Sequence, residues 1–435
     1  MNVLLVSSPL IGHLNPLLVA ARILKNAGHD VACYTSQLFR EKVEAAGLRF
    51  FPLPADVDHD MRDIDAAFPE RKTHEPGLPQ LLFDMKTVFV DAMPSQFKGL
   101  KAIVRNFPVD LVLYEHGFIG VLPLLLDTRS PRPAAAGLGI SLLSLKREDG
   151  GSPGMGLPPA KDAAQREEYA IIAQQVEASL FKPVREHADR YLHELGAASL
   201  PGSVFESMAL LADVYLQPCV PSLVYPLREP ARNLHFIGAL FPEGSGDVPP
   251  EAKAAKEAGR RVVLVTQGTM ANQDMSLLAV PVIQALGDRD DILILVTTGG
   301  RPVDSIPCPL SKNAVVSPFL NFREVLPYVD VLVALGGYGT VTQALSLGVP
   351  MVLAGLSEDK LEIGVQVASS GSGISLRTDT PTVEQLRASV EQVLSEPSYR
   401  ASAKRLAAEF AHYDSAKELL RLLEAVVDER KSIAG

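Results

Sequence analysis

Two short segments place groups that can move a proton where a cleft can form. Gly12-His13 stands just past the apolar run 3–7, and Glu115-His116 just past the apolar run 109–114. An imidazole beside a glycine can face a cleft, and its ordinary pKa lets it accept a proton near neutral pH. A carboxylate after a second strand can orient and polarise that imidazole, as in a nucleophile-activating dyad. The plainer alternatives are a histidine at the start of a helix and a solvated loop acid. A third segment, Leu335-Gly336-Gly337-Tyr338-Gly339-Thr340, opens a helical stretch through Ala344-Leu345. Such a turn bares backbone N–H groups, the helix dipole adds partial positive charge, and together they hold phosphate. The Thr340 hydroxyl adds a donor; a glycine turn serving only tight packing is the alternative. Ser357-Glu358-Asp359-Lys360 delivers a carboxylate, Asp359, that can accept from sugar hydroxyls, although an acid beside a lysine is also an ordinary surface pair. Gln267-Gly268-Thr269 can meet the phosphates from the other side.

These segments need a frame of strands and helices. A strand at 3–7, a loop at 8–16, a helix at about 17–27 ended by Gly28 and a strand at 30–35 make a βαβ unit, whose sheet is parallel with a right-handed crossover. Residues 55–80, with Asp56, Asp58, His59 and Asp60 among prolines, read as a loop-rich insertion. Helices are expected over 162–195. The composition shifts at 241–250, the best linker candidate. Beyond it strands are expected at 262–266, 292–297, 315–317, 329–333 and 351–354, then helices from 381 to 433. In open α/β sheets ligands bind at the carboxyl ends of strands near a switch in strand order, so the loops after strands, where the candidate residues stand, are the ones to read for chemistry. The loop at Gly12 is not a GxGxxG, so a nicotinamide or flavin site is disfavoured.

The chain has 435 residues, enough for two α/β domains, with 47% hydrophobic and 21% charged residues, a globular balance. The net charge of −10 and the lack of a basic run argue against nucleic acid as a partner. Cys33, Cys219 and Cys308 share no metal-like spacing and read as small buried residues of a reducing compartment. The N-terminal run reads as a core strand rather than a signal peptide, and no apolar run approaches the roughly 20 residues of a membrane span. A cytoplasmic protein without stable membrane insertion is expected.

On these residues the chain resembles the inverting nucleotide-sugar glycosyltransferases of the GT-B fold, the group that holds UDP-glycosyltransferases and bacterial macrolide glycosyltransferases. The block 336–352 ahead of Asp359 carries the resemblance, and Gly12-His13 strengthens it. It implies two Rossmann-like domains facing across a cleft: an acceptor-binding domain at 1–240, a linker at 241–258, a nucleotide-sugar domain at 259–410 and a last helix at 411–435 that can pack back on the first domain. His13 matches the family's catalytic base. Glu115 stands about where the family places its paired acid, with His116 the alternative. Phe319 matches a base-stacking aromatic, with the Leu320 backbone at the base edge and Gln343 in the place of a ribose-binding Glu. Gly336, Gly337, Gly339 and Thr340, with Thr269, match the phosphate cradle, and Asp359 and Lys360 the sugar site. Gly12, His116 and Phe118 are the residues assigned to the acceptor. Leu335 replaces a common His, Asn321-Phe322 a Pro-Gln pair, and Lys360 a Gln.

The implied reaction moves a sugar from a UDP- or dTDP-sugar to a hydroxyl of a small lipophilic or aromatic acceptor, with neither metal nor cofactor. Leu81-Leu82-Phe83 and Phe118-Ile119 suit such an acceptor, or are ordinary core. The alternatives are a non-catalytic nucleotide-binding helper of a partner enzyme, a nucleotide-sugar epimerase on the same fold, and a lipid-linked sugar transferase.

Overall fold

The structure, a computed structural model, describes residues 1–127, 131–229, 231–242, 248–269 and 272–434. Among the described residues thirteen strands form two wholly parallel sheets. In chain order they are β1 Asn2–Val6, β2 Asp30–Thr35, β3 Arg49–Pro52, β4 Leu111–Glu115, β5 Ala134–Leu138, β6 Val214–Gln217 and β7 Leu234–Phe236 in the first half. The second half holds β8 Arg261–Thr266, β9 Ile292–Thr297, β10 Ala314–Ser317, β11 Val331–Ala334, β12 Met351–Leu353 and β13 Gly373–Ser375. The strand orders are β3-β2-β1-β4-β5-β6-β7 and β10-β9-β8-β11-β12-β13. This is the α/β GT-B architecture.

Helices cover both faces of each sheet, so the central strands read as unbroken apolar runs: Val3, Leu4, Leu5 and Val6 are fully buried, as are Val262 to Val265. Each sheet reverses its order once, between β1 and β4 and between β8 and β11. Val6 lies beside Tyr114 in the first register and Thr266 beside Ala334 in the second. Glu115, which ends β4, and the residues that follow the other three strands, Ser7-Ser8, Gln267 and Leu335-Gly336, therefore emerge at the two switch points.

Several expectations need correction. The first helix is Ile11–Asn26, so His13 sits in its first turn and not in a loop. Pro16, which lacks the N–H of a helix interior, is accommodated within this helix. The insertion at 55–80 is largely short helical pieces: Met61–Asp63, Ile64–Ala67, Pro69–Thr73 and Leu78–Phe83. Two acids of this stretch are helix caps, since Asp60 accepts from the Arg62 N–H and Asp63 from the Ala66 N–H. Of the expected linker, residues 243–247 lie outside the described residues, and Pro250–Glu257 is a helix that buries Ala252 and Ala255 in the second core. Cys219, Val220 and Leu223 also join that core, ahead of the expected boundary. Cys33 and Cys219 are buried and Cys308 half-buried.

The last helix, Ser415–Ala434, packs on the first half, against the Ile11–Asn26 helix and strands β5 and β6. Leu419, Leu422, Leu423, Val426 and Val427 fill one core with Leu14, Leu17 and Leu216. The chain's end thus braces the helix that carries His13. Leu423 is completely buried, so Leu423→Ala should cost roughly 2–5 kcal/mol of unfolding free energy, read from the urea midpoint.

Candidate active site

The carboxylate of Glu115 ends β4 and has no exposure to solvent. An ion in that position must be matched by hydrogen bonds. Its Oε1 accepts from the Ser8 N–H at 2.9 Å and the Ser8 hydroxyl at 2.7 Å. Its Oε2 accepts from the Gly117 N–H at 2.5 Å and faces His13 Nδ1 at 2.9 Å. Burial works against ionisation, but the charge and hydrogen bond of His13, then His116 and Ser8, bring the carboxyl down to about 2. An ionised carboxylate only accepts. The proton between the pair therefore sits on His13 Nδ1, and in the neutral ring Nε2 carries the lone pair. The ring is about a quarter exposed and lines the cleft.

Burial lowers the His13 pKa, but the charge and hydrogen bond of Glu115 outweigh it, helped by Glu358 and Asp359 on the second half, so the pKa lies above its usual 6.5. His116 stacks beside His13 with ring centroids 5.9 Å apart and meets Phe205 edge-on at 5.6 Å. Burial pulls its pKa down to about 4. It is a neutral wall of the cleft at ordinary pH, and Glu115, not His116, is the partner of His13.

The opposite wall is the helix Tyr338–Ser346, which follows β11. Gly337 caps it with no side-chain hydrogen bond, so the first N–H groups are presented without a competing cap. Gly336 has φ +99°, a left-handed conformation that glycine adopts without strain. A Cβ on Gly337 or Gly339 would meet nothing within 4 Å, so this turn faces open space. Thr340 and Thr269 line the same cleft. Asp359 precedes the helix Lys360–Ser369 and accepts from the Ser141 hydroxyl of the first half. Burial raises the Asp359 pKa, opposed by Ser141 and Lys360. The Lys360 ammonium, largely buried, is held by the Glu358 carboxylate and by Ser357 Oγ at 3.2 Å.

One cleft of about 3380 Å³ runs between the halves, far above the roughly 300–1,000 Å³ of a single small-ligand pocket, so it has room for two ligands. Gly12, His13, His116, Thr269, Phe319 and Leu320 line it, as do Gly336, Gly337, Gly339, Thr340, Gln343, Asp359 and Lys360. Phe319 is 70% exposed, a free ring face. Gln343 is mostly buried and donates to the Leu240 carbonyl at 3.0 Å, which partly commits its amide. Phe118 is misplaced by the sequence reading: it is fully buried, packs edge-on against Tyr34 at 5.8 Å and does not line the cleft. Its place in an apolar run after β4 fits core as well as cleft. Of the apolar stretches expected to meet the acceptor, Leu81 lines the cleft, while Leu82, Phe83 and Ile119 do not.

Two further residues hold the site together. Ser8 holds both Glu115 and, at 3.0 Å, His13 Nδ1. Gln217, fully buried at the end of β6, donates to the Ser141 carbonyl at 2.9 Å and to the Tyr338 hydroxyl at 2.5 Å. Ser8 was findable as a hydroxyl at a strand's carboxyl end; Gln217 carries no motif.

Replacing the Glu115 charge by an amide should lower the His13 pKa, because the charge is what raises it. In a proton NMR titration the His13 midpoint should lie above 6.5 in the wild type and fall in Glu115→Gln. A midpoint that does not move would remove Glu115 from this role.

Comparison with known proteins follows the same lines. The profile of the "Erythromycin biosynthesis protein CIII-like, C-terminal domain" family matches residues 281–426. The chain is 32% identical over 427 residues to the 4'-demethylrebeccamycin synthase of Lentzea aerocolonigenes, covering 98% of this chain and 99% of that protein. It is 32% identical over 436 residues to UDP-glycosyltransferase 2 of Phaeomoniella chlamydospora, covering 96% and 94%. Among solved structures, the calicheamicin glycosyltransferase superposes with a TM-score of 0.71 at 19% identity over 98% of both chains, which speaks for the fold.

Proposed function

We propose a single-displacement sugar transfer for this chain, which belongs to the nucleotide-sugar glycosyltransferases of the UDP-glycosyltransferase and macrolide glycosyltransferase type. As a member it is a glycosyltransferase that uses nucleotide sugars. The finer reading is an inverting, metal-independent transfer from a UDP- or dTDP-sugar to a hydroxyl of a small lipophilic or aromatic acceptor. The observation that carries it is the buried Glu115 carboxylate on His13 Nδ1, which leaves Nε2 as a base on the cleft wall.

In this mechanism the acceptor oxygen attacks the anomeric carbon while its proton passes to His13 Nε2. The bond from that carbon to the phosphate oxygen breaks, and the nucleoside diphosphate leaves with the electron pair. Glu115 stabilises the imidazolium that forms, as a buried carboxylate can. The uncapped N–H groups at Tyr338–Ser346, with Thr340 and Thr269, hold the charge that develops on the diphosphate. That arrangement supports a leaving group stabilised by the protein itself, and activity that persists in chelator is its corollary. Attack from the face opposite the leaving group inverts the anomeric configuration.

Phe319 offers its exposed ring for stacking on the base, and Leu320 and Gln343, which also line the cleft, are assigned to the base edge and the ribose. Asp359 and Lys360, which line the cleft, are assigned in this reading to the sugar's hydroxyls. The acceptor lies against the first half, where Gly12 and His116 join Met61, Met85, Phe89 and Phe205 in an apolar wall. Thioethers adapt to irregular ligands, and neutral aromatic rings suit flat ones. Among the described residues no helix is long and apolar enough to cross a membrane.

The test is turnover of a panel of UDP- and dTDP-hexoses with phenolic and polyketide acceptors, followed by mass spectrometry. Removing general-base help should cut transfer by about 10²–10⁴-fold in His13→Ala, while calorimetry shows donor binding intact. The base must be unprotonated to act. The wild-type kcat/KM should therefore rise with pH through the raised His13 pKa. Unchanged turnover in His13→Ala would remove the base from the mechanism.

A further inference from the structure

The loop at 147–160 belongs to the first half by sequence, yet it is fastened to the second half beside the sugar-facing end of the cleft. Arg147 builds the loop from inside. Its guanidinium is buried, with 4% exposure. It grips both oxygens of Asp149 at 3.0 and 2.6 Å and donates to the carbonyls of Leu157 at 2.7 Å and Pro158 at 3.0 Å. The Tyr225 ring lies 3.8 Å beneath it, a cation–π contact in a dry setting. Asp149 in turn accepts from the Gly151 and Ala160 N–H groups, at 3.0 Å each. The arginine thus spends its fork on the loop's own backbone and acid, which gives this glycine-rich segment one shape.

The shaped loop then meets Glu362. That residue stands in the first turn of the helix Lys360–Ser369, three positions after Asp359, and is almost completely buried. Its carboxylate accepts from the Gly156 N–H at 2.6 Å and lies 3.5 Å from Arg147. Gly156 has φ +61°, and a Cβ there would stand 2.5 Å from Leu361 Cγ. The contact therefore requires a glycine twice over, for its conformation and for its close approach. Residues Gly150 to Met155 of the same loop form part of the cleft wall.

A buried carboxylate on one half, met by a backbone N–H and a guanidinium from the other, costs desolvation that only a fixed geometry offsets. Nothing in the transfer chemistry requires it, since Glu362 does not line the cleft. Its location supplies the reason. It ties the helix that begins just after Asp359 to a loop that walls the acceptor side.

We infer that residues 147–160 form an interdomain clasp, in which Arg147 and Glu362 are positioning residues that register the donor-side helix against the acceptor half and so favour acceptor over water. The inference rests on the glycosyltransfer reading above. Its chemical consequence is a partition. With the clasp shut, an acceptor oxygen attacks the anomeric carbon and gives up its proton. With the clasp loosened, water enters and makes the same bond, releasing free sugar and nucleoside diphosphate.

The test uses the full-length chain with Glu362→Ala, Glu362→Gln and, from the loop side, Gly156→Ala. Hydrogen exchange, which needs no donor, reads the clasp: in Glu362→Ala and Gly156→Ala, peptides covering 150–158 and 357–366 should lose protection together, by roughly tenfold, the equivalent of one lost hydrogen bond to a charged group. On a panel of UDP- and dTDP-hexoses with a phenolic acceptor, the ratio of donor hydrolysis to transfer should rise by roughly tenfold. That ratio does not depend on how much protein is folded. Glu362→Gln, whose carbonyl oxygen keeps the Gly156 bond, should stay near wild type in both readings. Unchanged protection in the two segments overturns the clasp. Lost protection with an unchanged ratio overturns the positioning role. A wild type that consumes no donor by either route overturns the reading of donor and acceptor on which the inference rests, and the exchange data set that outcome apart.

Discussion

The contact between Glu115 and His13 is the constraint around which the first half is arranged. A carboxylate at the end of a central parallel strand is surrounded by apolar side chains, and it stays ionised only because every lone pair finds a donor. Two of those donors are backbone N–H groups of Ser8 and Gly117, and one is the Ser8 hydroxyl. The remaining place is taken by an imidazole N–H. The strand order puts β1 and β4 side by side, so Ser8 and Glu115 meet without any long loop. The last helix braces the helix that carries His13 from behind. The fold thus fixes which ring nitrogen faces the cleft.

The second half repeats the arrangement with opposite polarity. At its own switch point it presents backbone N–H groups and glycines rather than a carboxylate. A negative group behind a base on one wall and a partial positive charge on the other are what a displacement with an anionic leaving group needs. The halves are also joined at defined points: Ser141 on Asp359, Gln217 on Tyr338 and the Gly156 loop on Glu362. Each lies at or beside an element that lines the cleft, so closure of the halves and the shape of the cleft are mechanically one matter.

Much of this was legible in the residues. The strands at 292–297 and 262–266 stand where their apolar runs put them, and Gly336 to Thr340 forms the helix tip that a glycine turn implies. Glu115 was read as a loop acid and is in fact the last residue of β4. The misses have physical causes. Strand β5 is Ala134–Leu138, poor in β-branched residues, and its Gly137 leaves room for the Tyr215 ring, so no local pattern marks it. Phe118 follows an apolar strand as a cleft residue would, but its turn points it inward against Tyr34. Gln217 and Glu362 reach across the domain seam, to Tyr338 and Gly156, and short-range spacing cannot show that.

The most direct test of the central claim is a crystal structure with an intact nucleotide sugar bound. The account predicts diphosphate oxygens on the N–H groups at the start of Tyr338–Ser346. It also predicts the anomeric carbon facing His13 Nε2, with room for one acceptor oxygen between them and Nδ1 still on Glu115. A diphosphate seated away from that helix tip, or a sugar whose anomeric carbon is turned from His13, would contradict it.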